Sequence, residues 1–144
     1  MSYISIWLHC VWSTKNRIPY LSERIKGDVI SHISHNAKLK GIYIDQLNGY
    51  QEHLHALISM SGTQNISEIM QKIKGESSFW INKNELTRLK FEWQDDFYCV
   101  SIGHSQMEGL KEYIGNQESH HKKVTWEDEL EKLMKENNLL RIMD

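Results

Sequence analysis

The stretch from Gln51 to Met60 constrains the fold more than any other part of the chain. His53 and His55 alternate there with Leu54, Ala56, Ile58 and Met60. A strand's two-residue period sends the imidazoles to one face and the apolar side chains to the other. An apolar face of that width packs on helices, so the segment is a strand in a sheet covered on at least one side. Asn48-Gly49, just upstream, is a hairpin turn signal and makes Ile42 to Leu47 the antiparallel neighbour.

The remaining elements arrange themselves around this hairpin. Tyr3 to Trp12 is aromatic and β-branched enough for a strand, and Thr14 to Leu21, with the chain's single proline at Pro19, reads as a loop. Ser22 caps a helix to about Lys40, with Ile25, Val29, Ile33, Ala37 and Leu39 as its apolar stripe and Gly41 at its end. A second helix starts near Asn65 or Ser67 and carries Ile66, Ile69, Met70 and Ile73 towards Phe79 and Trp80, with Gly75 loosening its middle. Phe97 to Ile102 is a further strand. Ser105-Gln106-Met107-Glu108 has the form of a capping box that opens a helix through Tyr113 to Gln117. Thr125 opens a last amphipathic helix with Leu130, Leu133 and Met134 on its apolar side. The order strand-helix-strand-strand-helix-strand, followed by helices, is that of a ferredoxin-like α+β sandwich: an antiparallel sheet with helices packed on it.

A chain of 144 residues without repeats or linkers fits one domain, residues 1–144, able to bury a sizeable core. No apolar run is long enough to cross a bilayer, and the N-terminus lacks the marks of a signal peptide, so a cytoplasmic protein is expected. Cys10 and Cys99 sit in apolar segments, which points to buried thiols. The net charge of −2 excludes global basicity as the means of attracting nucleic acid. It leaves local clusters: Lys15-Asn16-Arg17, Lys72-Ile73-Lys74 and His120-His121-Lys122-Lys123.

Neutral imidazoles at His53 and His55 suit a divalent ion; without a third ligand they are simply two half-exposed hairpin histidines. Tyr113 and Gln117 are four residues apart, which stacks them on one helix face about 6 Å apart at Cβ. An ion held by His53, His55 and the Gln117 carbonyl oxygen would have the Tyr113 phenol beside it, an arrangement suited to phosphoryl transfer. Core packing for Tyr113 and solvation for Gln117 are the alternatives. Lys72 to Trp80, with Lys74, Ser77 and Ser78, interleaves basic, hydroxyl and aromatic residues as phosphate contact and base stacking require; helix-surface lysines over a core aromatic pair read equally well.

Taken in order, four segments resemble the single-tyrosine HUH transposases, which comprise small insertion-sequence transposases and REP-associated relatives. They are Leu8 to Arg17, Glu52 to Ile58, Lys74 to Ser78 and Tyr113 to Gln117, and the likeness extends from about residue 8 to 123. The resemblance implies a divalent metal, Mg²⁺ or Mn²⁺, bound by His53, His55 and Gln117, with Tyr113 as nucleophile. It also implies recognition of single-stranded DNA with hairpin ends, a 5′-phosphotyrosine intermediate and a homodimer. Lys15, Arg17, Lys72, Lys74, Ser77, Ser78, Lys122 and Lys123 are the candidate DNA contacts. The rival reading is a domesticated or non-catalytic single-stranded nucleic-acid-binding module of the same fold.

Overall fold

The computed structural model describes residues 2–137. Four strands, β1 (Ile6–Ser13), β2 (Tyr43–Gly49), β3 (His53–Met60) and β4 (Tyr98–Ser101), form one antiparallel sheet in the order β2-β3-β1-β4. Two long helices, α1 (Glu23–Leu39) and α2 (Ile66–Lys83), connect β1 to β2 and β3 to β4. Three shorter ones, α3 (Met107–Gly115), α4 (Gln117–His121) and α5 (Trp126–Glu136), follow β4. This is the expected ferredoxin-like α+β arrangement.

The two faces of the sheet carry different loads. Cys10 and Trp12 of β1 and Leu54, Ala56 and Ile58 of β3 point to the face covered by α1 and α2, where they meet Val29, Ile33, Ile69, Met70, Ile73 and Ile81. Alternation then sends Val11, His53, His55 and Leu57 to the other face. Leu57 packs there with Met107 and Ile114 of α3, and Val11 with Tyr98 and Trp126. Covering both faces explains why every residue from His53 to Ile58 is buried.

Local signals differ in detail. Asn48 and Gly49 belong to β2 and pair with His55 and Leu54, so the chain reverses over Tyr50 to Glu52. A Cβ on Gly49 would lie 2.1 Å from the His53 carbonyl oxygen, an approach that only glycine permits. Leu39 is exposed, because two residues beyond Ala37 it lies on the side of the helix opposite the stripe Ile25, Val29, Ile33, Ala37. Phe79 is exposed as well, while Ser77 and Ile81 take the buried positions, and α2 runs unbroken through Gly75. The Ser105 capping box does not form: the Gly103 N–H donates to Gln106 Oε1 at 2.9 Å, and α3 starts at Met107 after a short 3₁₀ turn.

Candidate metal centre and nucleophile

β3 presents His53 and His55 to the second face, and β1 places His9 beside them. His9 Nε2 lies 2.8 Å from His55 Nδ1. The His53 and His55 ring nitrogens that face away from the strand converge on α4 and α5. His53 Nε2 is 3.2 Å from Gln117 Oε1 and 3.2 Å from Glu129 Oε1, and His55 Nε2 is 3.1 Å from Glu129 Oε1. His121 Nε2 joins the same group, 3.1 Å from Gln117 Oε1 and 3.2 Å from Glu129 Oε1. Trp126 stacks on His53 with centroids 4.2 Å apart and rings 11° from parallel, which seats the first turn of α5 on the sheet.

Each of these side chains is itself held. His53 Nδ1 is 2.8 Å from Glu52 Oε1, and His121 Nδ1 is 2.8 Å from the Val124 carbonyl oxygen. Those oxygens only accept, so both Nδ1 atoms carry a ring proton and both Nε2 atoms face inward. The Gln117 amide NH₂ donates to the Tyr113 carbonyl oxygen at 3.2 Å, which turns Oε1 towards the imidazoles. Asn48 Nδ2 donates to the carbonyls of Ile114 and Gly115 at 3.0 and 3.3 Å, anchoring the end of α3. Lys26 bridges the Gly49 carbonyl and Glu118, and holds the Glu118 carboxyl below its ordinary range.

Tyr113 donates its phenolic hydrogen to Glu129 Oε2. One carboxylate therefore spans the two parts of the site, with Oε1 among the imidazoles and Oε2 on the phenol. His120 Nε2 is 2.7 Å from Oε2 without the alignment of a hydrogen bond. The electrostatics follow the packing. Burial lowers His55 to about 4, against the pull of Glu129, and burial with the neighbouring His55 lowers His9 to about 3. Burial also acts to lower His53, but the carboxylates of Glu129 and Glu52 outweigh it and raise it. Burial opposes the Glu129 charge, yet bonds from His121, His53 and His55 hold its carboxyl far below the usual range. Burial and Glu129 together push the Tyr113 phenol up.

Tyr113, His53, His55 and Gln117 are thus brought together as the sequence suggests, with one difference. Asn116 interrupts the helix at φ −100°, ψ 22°, so Tyr113 and Gln117 lie on successive short helices. The sequence reading missed His9, His121 and Glu129. Glu129 carried a signal: it shares the apolar stripe of α5 with Trp126, Leu130 and Leu133, an odd place for a charge unless it has partners. His53 and His55 come to it from a strand distant in sequence, and only folding joins them.

The expected DNA contacts divide. Lys122 and Lys123 are exposed beside α4, and Arg17 pairs with Glu127 of α5 at 3.5 Å, while Lys15 pairs with Glu92 at 3.4 Å. Lys72, Lys74, Ser77 and Ser78 lie on α2, across the sheet from the histidines. Lys74 donates to the Asp95 carbonyl at 2.9 Å, and Ser78 to that of Gly75 at 3.1 Å. Ser77 is fully buried, donating to the Ile73 carbonyl and accepting from Trp93 Nε1 at 2.9 Å, so it is a core hydroxyl without access to a strand of DNA.

His53, His55 and Glu129 offer one ligand atom each within 4.8 Å of one another, as do His120, His121 and Glu129, so the site is able to hold a divalent ion. Two solved structures share the fold. One, a candidate transposase from Deinococcus radiodurans R1, is 16% identical with a TM-score of 0.64, over 81% of this chain and 93% of that one. The other, a REP-associated tyrosine transposase bound to a REP hairpin, is 20% identical with a TM-score of 0.66, over 86% of this chain and 73% of that one. A search of curated protein sequences found no match. A family model described as "Transposase IS200 like" matches residues 2–117, most of the chain and all of the sheet. Transposases cut and rejoin DNA, and this chain, with that match and a site suited to phosphoryl transfer, belongs to the IS200-like transposase family.

Proposed function

We propose that the protein cleaves single-stranded DNA beside a hairpin and rejoins it through a 5′-phosphotyrosine on Tyr113, with a divalent ion, Mg²⁺ or Mn²⁺, held by His53, His55 and Gln117. The observation that carries this reading is the contact between the Tyr113 phenol and a carboxylate that also faces His53 and His55. It sets a phenol beside two imidazoles and a carboxylate within one chain, which supports the reading of a nucleophile next to metal donors. A bound ion supplies charge stabilisation at a non-bridging phosphate oxygen.

The chain's own groups account for the transfer. Tyr113 Oη forms the bond to phosphorus as the bond from phosphorus to the 3′-oxygen breaks; the phenolic proton, relayed through the hydrogen-bonded Glu129, ends on the departing 3′-oxygen, which leaves as a free 3′-hydroxyl. In the second half another 3′-hydroxyl attacks, and its proton passes back by the same route to the phenolate oxygen as the phosphotyrosine bond breaks. The phosphodiester energy is kept in the phosphotyrosine, so rejoining needs no nucleotide cofactor. Asn48 and Lys26 fix the helices that carry Tyr113 and Gln117. Arg17, Lys15, Lys122 and Lys123 are the surface cations offered to the DNA backbone. The reading includes a cytoplasmic homodimer in which residues 1–144 act as one unit. Among the described residues no helix is long and apolar enough to cross a membrane.

A denaturing gel tests the reading, using single-stranded hairpin DNA from the flanks of the gene, with Mn²⁺, Mg²⁺ or chelator. A metal-dependent covalent adduct that disappears in Tyr113→Phe supports it. Hairpin binding with no adduct across the flanking sequences turns the assignment to a non-catalytic binding module.

A further inference from the structure

We infer that the segment after Gln117 completes the metal centre: His121 of α4 and Glu129 of α5 are two additional ligands. With His53, His55 and Gln117 they make a five-donor site of three imidazoles, one amide oxygen and one carboxylate. The inference rests on the proposed metal binding by His53, His55 and Gln117. It concerns residues that lie beyond the stretch matched by the family model.

The first argument is geometric. Five contacts join the donors: His53 to Gln117 at 3.2 Å, His53 to Glu129 at 3.2 Å, His55 to Glu129 at 3.1 Å, His121 to Gln117 at 3.1 Å and His121 to Glu129 at 3.2 Å. Donor atoms bonded to one ion at about 2.1 Å are separated by about 3.0 Å along an octahedral edge and about 3.4 Å along a tetrahedral one. All five contacts fall between those values. The five contacts draw side chains of three secondary-structure elements, β3, α4 and α5, to the spacing that one ion requires.

The second argument is chemical. His121 Nδ1 faces the Val124 carbonyl and must carry the ring proton, so the Nε2 lone pair of a neutral ring points at two acceptors, Gln117 Oε1 and Glu129 Oε1. His53 is placed the same way, between Glu52 on one side and Gln117 and Glu129 on the other. Lone pairs facing lone pairs in a buried site repel unless a positive charge, a bound ion or a second ring proton, lies between them. His121 and Glu129 share this feature with His53, which makes them members of one donor set. The side chains of both His121 and Glu129 are 2% exposed, so water does not relieve the contact. Glu129 also supplies the one negative charge among the five donors, and its second oxygen holds Tyr113. The carboxylate thereby ties ion binding to the position of the phenol.

Pulsed electron paramagnetic resonance of Mn²⁺ bound to the DNA-free protein counts coordinated imidazole nitrogens directly. A Mn²⁺ titration on the same samples gives the affinity, and thermal melts in chelator identify folded variants. Three imidazoles are expected in the wild type and two in His121→Ala. Glu129→Gln, which keeps the shape and removes the charge, is expected to weaken Mn²⁺ binding by about 10- to 100-fold or more. Two imidazoles in both wild type and His121→Ala, with unchanged affinity in folded Glu129→Gln, overturn the inference and leave the His53, His55 and Gln117 site standing. Unchanged imidazole count and affinity in His53→Ala overturn the underlying site itself.

Discussion

Replacing Trp126 by alanine should detach α5 from the sheet while leaving the rest of the domain folded. Trp126 is 4% exposed and packs on Val11, Tyr98 and the His53 ring. A tryptophan removes about 150–250 Å² from water, worth about 4–6 kcal/mol at about 25 cal/mol per Å². Alanine keeps the β-carbon, so the truncation costs about 3–5 kcal/mol. The cost falls on α5 because the Trp126 cluster is separate from the main core between the sheet and α1 and α2. An eleven-residue helix does not hold itself together in water, and its other apolar anchors, Leu130, Leu133 and Met134, are only partly buried. A loss of about 3 kcal/mol is a factor of about 150 in the docking equilibrium. Hydrogen exchange should therefore accelerate at least about 100-fold in the amides of α5, with little change in β1 and α1. Wild-type exchange rates in α5 would refute the reasoning about the anchor. Equal acceleration of β1 and α1 would refute the claim that α5 is a separate unit.

Ser77→Ala orphans the buried Trp93 indole donor and should cost about 1–3 kcal/mol in urea unfolding with hairpin affinity unchanged; weaker DNA binding by a folded variant would make Ser77 a contact after all. Stability of the chelated protein should fall as pH drops from about 6.5 to about 4. His55 has a folded pKa of about 4, so the unfolded chain binds a proton there that the folded one refuses, at a cost of about 3 kcal/mol. His9 acts in the same sense and His53, raised, in the opposite one; a urea midpoint that does not move between about pH 7 and about pH 4.5 contradicts the balance. Because Tyr113 reaches the histidine cluster of its own chain, mixing His53→Ala with Tyr113→Phe should not restore adduct formation. Recovered activity on the denaturing gel would mean that two copies exchange their tyrosine helices.

The alternation at His53 to Met60 made the sheet legible, since two faces of different chemistry admit one strand register. The caps of α2 and α5 were legible for the same local reason, with Asn65 and Thr125 accepting from the backbone N–H three residues on. Hairpin closure was not, because Asn48 is occupied elsewhere: its side chain serves the end of α3, a tertiary demand that overrides its turn preference. Within the site, His53, His55, Tyr113 and Gln117 showed through because spacing along one strand or one helix turn suffices to bring each pair together. Glu129 sits in an acidic run from which only its place on the apolar stripe of α5 sets it apart, and its burial depends on where Trp126 docks. Ser77 misled for the converse reason: hydroxyls and lysines are interleaved on α2, but the helix period turns Ser77 inward to Trp93.

The break at Asn116 has a mechanical side. On one unbroken helix, Tyr113 and Gln117 would be two points of a rigid rod, and drawing the phenol towards a new phosphate would drag the amide oxygen with it. The backbone instead leaves helical geometry between them, and the two stubs are moored differently, α3 by Asn48 on β2 and α4 through Glu118 to Lys26 on α1. Asn116 is then a knuckle. On the proposed mechanism, which carries a tethered strand from one junction to another while an ion stays in place, a joint at that position lets the two helices be held separately.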